Sequence, residues 1–252
     1  MEKQLNSEMM KMKNNAIPMV VMTLIGICIL APIVSAETAE EWTEKGVSFG
    51  AYGEYEKAIG CFNKAIELNP DYADAYLIRG FIYYYLKQYE RAIESYNKVI
   101  ELNPNDVKAY RWRGSAYNGL SRYERAMEDF DKAIELDPSD AKAYYHRGFV
   151  YFGLKQYERT IEDCTKTIEV NPDHADAYYI RGLAYDQLNQ YEKAIEDYNK
   201  AIELNPNDAD AYYYRGIALS KLEEKNSIPG FEAIFAVTGL LVVAYLSRRR
   251  EE

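Results

Sequence analysis

The sequence predicts an all-α solenoid of stacked helix-turn-helix units, five full and a sixth partial one that supplies a capping helix, flanked by apolar terminal segments. Three observations carry this. From residue 39 to about 224 the chain resembles itself at a period of 34 residues. Each period holds two apolar stripes at helical spacing, and a proline closes the second stripe each time.

Taken in order, residues 1–36 come first. Lys11 and Lys13 precede an apolar run from Ile17 to Val34, broken by Pro32, and Val34-Ser35-Ala36 supplies small residues before Glu37. A basic stretch, an apolar stretch and a small-residue site describe a secretory signal peptide, cleaved after Ala36. The other reading is an uncleaved span, since the 18 residues of the run nearly suffice to cross a bilayer.

The repeats follow as 39–72, 73–106, 107–140, 141–174 and 175–208, with a partial sixth at 209–224. The second and fifth agree at 25 of 34 positions. In the third, Tyr110, Arg113, Gly114 and Tyr117 fall at i, i+3, i+4 and i+7, one face of a first helix. Tyr123, Ala126, Phe130 and Ala133 mark a second helix. Pro138 stops it, because proline lacks an N–H and turns its predecessor away from the α region. Asp140 is then the expected N-cap of the next helix.

Gly80, Gly114, Gly148, Gly182 and Gly216 share one repeat position, although glycine inside a helix costs about 1 kcal/mol. With Ala92, Ala126 and Ala194 they let paired helices approach closely. Just before them stands a column of arginines: Arg79, Arg113, Arg147, Arg181 and Arg215. A guanidinium on an apolar stripe needs a carboxylate or helix-end carbonyls. The expectation is a ladder of pairs with second-helix acids such as Glu94, Glu128, Glu162 and Glu196; contact with a ligand is the alternative.

Residues 225–230 read as a short linker, 231–247 as a transmembrane or sorting segment, and 248–252 as a basic cytoplasmic tail. Phe231 to Leu246 would span about 24 Å as a helix, slightly short of a hydrocarbon core of roughly 30 Å. Lysines before the first apolar run and Arg248, Arg249 and Arg250 after the last keep both ends inside, which puts the repeats outside.

Composition narrows the function. Residues 37–229 carry 24 Lys+Arg against 35 Asp+Glu, a balance that argues against nucleic acid, which needs a basic stripe. Tyrosine, at 25 residues, marks a folded chain rather than a disordered one. Cys61 and Cys164 lie three repeats apart, too far to bridge, and read as buried apolar groups. His146 and His174 are the two histidines, and the chain lacks CxxC, HExxH and phosphate-loop motifs. No enzyme activity, cofactor, metal or small-molecule substrate is therefore expected.

The aromatic, Gly, Tyr, Ala, Phe/Tyr and Pro at set offsets within 34 residues resemble the tetratricopeptide repeat, over residues 39 to about 224. Trp42 and Lys45 depart from the pattern in the first repeat, as do Thr160, Cys164 and Thr167 in the fourth. The resemblance implies a right-handed solenoid whose first helices line a concave binding groove. Carried over, that groove holds Leu77, Phe81, Tyr84 and Tyr85; then Lys108, Arg111, Ser115 and Asn118; then Lys142, Tyr145, Phe149 and Phe152. Asp176, Tyr179, Leu183, Asp186, Tyr213 and Ile217 complete it. The carboxylate clamp of some members, Lys and Asn at set positions of the first repeat, is replaced here by Thr43 and Val47. The partner implied is a protein or peptide.

At the other end, Pro229, Gly230 and Phe231, an apolar run and Arg248–Arg250 resemble the PGF-CTERM sorting signal of archaeal surface proteins. In that family an archaeosortase is thought to remove the tail and leave a lipid anchor, although the Thr/Ser-rich stalk that often precedes the motif is missing here. The implied role is an exported, membrane-anchored adaptor, the alternative being a self-associating structural component of the envelope.

Overall fold

The computed structural model describes residues 37–226, and all the regular structure among them is helical. Eleven helices follow one another: α1 (Ala39–Ala51), α2 (Tyr55–Leu68), α3 (Ala73–Tyr85), α4 (Tyr89–Leu102), α5 (Val107–Gly119), α6 (Tyr123–Leu136), α7 (Ala141–Gly153), α8 (Tyr157–Val170), α9 (Ala175–Gln187), α10 (Tyr191–Leu204) and α11 (Ala209–Asn226). The signal segment (1–36) and the sorting motif at Pro229, Gly230, Phe231 and Arg248–Arg250 lie outside the described residues. No helix among the described residues is long and apolar enough to cross a membrane.

Odd-numbered helices are the first of each pair and even-numbered ones the second. Local chemistry sets the boundaries. Asp106, Asp140 and Asp208 cap α5, α7 and α11 by accepting from the N–H groups of Ala109, Lys142 and Ala211. Inside each hairpin one residue takes a left-handed conformation, Gly53, Lys87, Ser121, Lys155 and Asn189 in turn, with φ between 56° and 76°. Four of the five are not glycine, so the surrounding packing holds a turn that is locally unfavourable.

The glycine column works as a row of slots, extended by Gly46 in the first repeat. A Cβ at Gly46, Gly80, Gly114 or Gly182 would come within 2.6–2.8 Å of the ring of Phe62, Tyr96, Phe130 or Tyr198. Those rings, each essentially fully buried, form the spine of the core together with Ala58, Ala92, Ala126 and Ala194. The fourth repeat differs. Cys164 takes the ring's place, Thr160 and Thr167 replace the alanines, and a Cβ at Gly148 would sit 3.1 Å from Asp163 Cβ and 3.5 Å from Cys164 Sγ. Cys61 and Cys164 are buried and form no disulfide with each other, and burial pushes the Cys164 thiol well above the ordinary range.

Two of the spine rings are tyrosines whose hydroxyls, at Tyr96 and Tyr198, are buried without a hydrogen-bond partner. Phe62 and Phe130 fill the same position without that cost. Tyr96→Phe should therefore raise the stability of the fold by about 1 kcal/mol, since an unmet buried donor costs roughly 1–3 kcal/mol. A thermal melt measures it, and a lowered midpoint would mean the hydroxyl is satisfied in solution.

The arginine ladder exists, but its carboxylates stand one residue beyond the expected ones. Arg113, Arg147 and Arg181 each form a two-pronged pair with Asp129, Asp163 and Asp197 of the following helix, at 2.6–2.8 Å. Glu94, Glu128, Glu162 and Glu196 are exposed instead. One residue along a helix is a rotation of about 100°, enough to exchange the facing side for the solvent side. The remaining guanidinium nitrogen reaches the preceding second helix, at Asn97, Asp131 and Thr165 respectively. Each arginine thus ties three consecutive helices. Arg79 does so through neutral partners, Ser95 and Asn63, and Arg215 contacts Asn199.

Candidate functional site

Helices α3, α5 and α7 bring Tyr84, Ser115, Asn118, Tyr145 and Phe149 around one cleft of about 160 Å³, which Phe130 and His146 complete. The first five are groove positions read from the sequence; the last two are not. Around them runs a chain of rings. Trp112 meets Phe81 edge-on at 5.1 Å between centroids and Tyr84 at 5.4 Å. His146 stacks on Phe130 at 6.0 Å and touches Tyr145 at 5.4 Å, and Tyr145 in turn lies 4.7 Å from His174. Phe81 and Phe149 stay 41% and 46% exposed, so the cluster offers apolar surface to solvent rather than closing on itself.

The other expected groove residues divide. Tyr85 is exposed and packs on Tyr55, while Leu77, Phe152, Tyr179 and Leu183 are half-buried. Phe152 leans on Tyr157, and Tyr179 on Tyr198 and Tyr214, so both serve repeat packing. Tyr213 and Ile217 line a separate cleft on α11 with Tyr212, Gly216 and Ser220. Lys108, Lys142 and Asp176 are exposed.

Three expected surface residues are buried. Arg111 donates through Nε to Asp140 at 2.9 Å, across 29 residues of chain, and lies beside the Trp112 ring. Ser115 donates to the Arg111 carbonyl. Asp186 accepts from Lys221 at 2.7 Å. The arginine and the aspartate are used within the array and are not part of the cleft's lining.

Burial pushes the His146 imidazole down to about 4, with Arg111 adding to the effect, so the ring is neutral at pH 7. Unfolding returns it to an ordinary histidine near 6.5. The unfolded chain takes up the proton first as pH falls, so this contribution is complete above about 6.5 and is lost as pH drops toward 4. His146→Ile, copying Ile78 and Ile180 of the second and fifth repeats, should flatten that part of a plot of melting midpoint against pH. An unchanged slope would assign the acid sensitivity to other groups.

Trp112 and His146 share one repeat position, beside the arginine column, which holds isoleucine in two other repeats. That departure from repeat identity is the signal that would have found them. Among the described residues no group of three or more His, Cys, Asp or Glu could hold a metal ion.

Comparison with known proteins bears on both parts of the chain. Models of the tetratricopeptide repeat match residues 51–86, 80–121, 117–155, 141–174, 175–208 and 197–227. A model of the PGF-CTERM motif matches residues 228–250. An uncharacterized protein of Methanocaldococcus jannaschii is 58% identical over 38 residues, 15% of this chain and 44% of that protein. The chain thus spans less than half the length of that relative. Among solved structures, MamA is 29% identical with a TM-score of 0.59, over 69% of this chain and 95% of that one. A thermophilic protein of Thermus thermophilus, TTC0263, shares the fold: it is 22% identical with a TM-score of 0.59, over 72% of this chain and 99% of its own.

Proposed function

The chain belongs to the tetratricopeptide repeat family and ends in a PGF-CTERM motif, and from that premise we propose that it is a surface-anchored adaptor holding a segment of another protein in its groove. The observation that carries the proposal is the ring cluster of the second to fourth repeats. Phe81 and Phe149 are exposed beside a cleft that Ser115 and Asn118 also line, and Ser115 is held by its bond to the Arg111 carbonyl. Large apolar groups beside a few polar ones are the composition of an interface anchor. An amphipathic helix or an extended peptide that inserts one apolar side chain fits this surface. Its termini are not gripped, because Thr43, at the clamp position, is buried and donates to the Ala39 carbonyl.

The ends of the chain supply the setting. The signal-like segment at residues 1–36 exports the repeats, and the tail fixes them to the outer face, with Lys11, Lys13 and Arg248–Arg250 on the cytoplasmic side. Protease added to intact cells should then degrade the repeats.

The groove is tested at the exposed rings. Tyr145 is half-buried between His146 and His174, so truncating it disturbs packing; Phe149 is the cleaner probe. Phe149→Ala should leave the melting midpoint nearly unchanged and cost about 2 kcal/mol in binding, roughly a thirtyfold loss. Partners crosslinked to the wild-type protein in native membranes should disappear with the variant. A stable variant that keeps every partner would move the interaction to another surface.

A further inference from the structure

The cleft between α3, α5 and α7 is walled by rings, yet much of its lining is polar. Among the described residues, the Tyr84 and Tyr145 hydroxyls, the Asn118 side-chain amide and the His146 imidazole form no hydrogen bond within the protein, and all four residues line the cleft. Polar side chains elsewhere in the array are taken up. Asn63, Asn97 and Asn199 each accept from an arginine of the ladder, and His174 accepts from the Ala177 N–H. Unmet groups gathered at one place call for a partner from outside.

Two of the four also depart from the repeat. Ile78 and Ile180 hold the His146 position in the second and fifth repeats, and Tyr84 and Phe152 hold the Asn118 position in the second and fourth. Rings and aliphatic groups suffice for packing at these positions, so an imidazole and an amide are not there to fill space.

Size, polarity and charge narrow what the cleft takes. A cavity of about 150 Å³ holds a benzene-sized group, and this cleft has about 160 Å³, which matches one six-membered ring. The imidazole, neutral at pH 7, has one bare nitrogen that only accepts and one N–H that only donates, while Asn118 offers both kinds of group. A phenylalanine ring would cover these groups and answer none of them. A carboxylate has no proton to give the bare nitrogen, and no ionised side chain lines the cleft to offset its charge. Arg111, whose charge His146 feels, is already paired with Asp140, and Lys142 is exposed and screened by water.

We propose that the side chain seated in this cleft is a tyrosine of the bound protein, its ring filling the volume and its hydroxyl donating to His146 and accepting from Asn118. This rests on the groove reading above and sharpens it: the inserted group has an apolar body and a polar tip.

The test uses the full chain in lipid nanodiscs, with its two histidines isotope-labelled so that His146 and His174 give separate imidazole signals. Three capped peptides differ only at the centre, where tyrosine, phenylalanine or glutamate stands between serines and glycines. The tyrosine peptide should move the His146 signal and bind about tenfold tighter than the phenylalanine peptide, the worth of one net hydrogen bond. The glutamate peptide should not bind measurably. A purely apolar cleft would rank tyrosine below phenylalanine, because a phenol gives up more hydration than a plain ring. Asn118→Leu should remove most of the tyrosine preference, and the wild-type ranking decides by itself if that variant fails to fold. Phenylalanine bound as well as tyrosine, glutamate bound tightest, a preference that survives Asn118→Leu, or no response to any peptide would each overturn the proposal. The groove reading is scored apart: partners lost with Phe149→Ala in native membranes sustain it even where the tyrosine peptide fails, and partners kept defeat it whatever the peptides do.

Discussion

Asp163→Ala should destabilise the protein by about 3 kcal/mol, the lower end of the cost of stripping one partner from a buried ion pair. Asp163 is 5% exposed at its side chain and grips Arg147 with both oxygens, so its loss leaves the guanidinium half-solvated and without its main partner. The figure sits at the low end because Arg147 is 20% exposed and keeps Asp131. Asp131→Ala removes the outer contact, which is 58% exposed at the carboxylate, and should cost no more than about 1 kcal/mol. Glu162→Ala, at an exposed position, should cost almost nothing. Urea unfolding of the three variants measures the differences in midpoint. Equal losses at Asp163 and Asp131 would contradict the division of labour in the ladder.

Gly182→Ala should cost about 1–3 kcal/mol through overpacking, whereas Gly148→Ala should be close to neutral. The two glycines occupy one repeat position and differ in what they face. A methyl at 182 would stand 2.8 Å from the Tyr198 ring and 3.3 Å from the Ala194 carbonyl oxygen, neither of which can retreat from the spine. At 148 the nearest atoms are 3.1 Å and 3.5 Å away, and the gain in helix propensity of about 1 kcal/mol offsets a small adjustment. Melting midpoints decide it. A Gly148→Ala chain that melts as low as Gly182→Ala would mean the threonine-and-cysteine core of the fourth repeat is as tight as the ring-filled ones.

These pairs show what a single sequence makes legible. The 34-residue period, the glycine column and the caps depend on near neighbours in the chain, and they read directly as helices, slots and turns. The ladder was legible as a need for carboxylates, but Glu128 and Asp129 are adjacent acids, and a helical phase decides between them. Contacts that cross repeats are harder still. Arg111 finds Asp140, and Asp186 finds Lys221 35 residues later, so residues expected at the groove surface are consumed inside. At the cleft, five of the lining residues stand at the family's groove positions, while Phe130 belongs to the buried ring spine and His146 to the position beside the arginine column. The different exit of α11 is not legible at the turn position: Glu223 stays helical where Lys87, Ser121 and Lys155, no better suited to a left-handed turn, do not.

The uneven charge of the ladder sets which hairpins are clasped within themselves. Where Arg113, Arg147 and Arg181 clasp aspartates, the two helices of one hairpin are joined by polar as well as apolar contacts, and parting them strands a buried charge. Arg79 and Arg215, nearer the two ends, hold only neutral side chains. From one hairpin to the next the same column makes a charged contact at Arg147 and Asp131 and meets neutral partners at Asn63, Asn97, Thr165 and Asn199, so the clasps stiffen single hairpins more than the joints between them. The aromatic cleft lies across the second to fourth repeats, and the third and fourth of these are clasped hairpins. Two of the three helices that wall the cleft, α5 and α7, are thus each locked to their own partner helix, which keeps those walls in shape with the cleft empty.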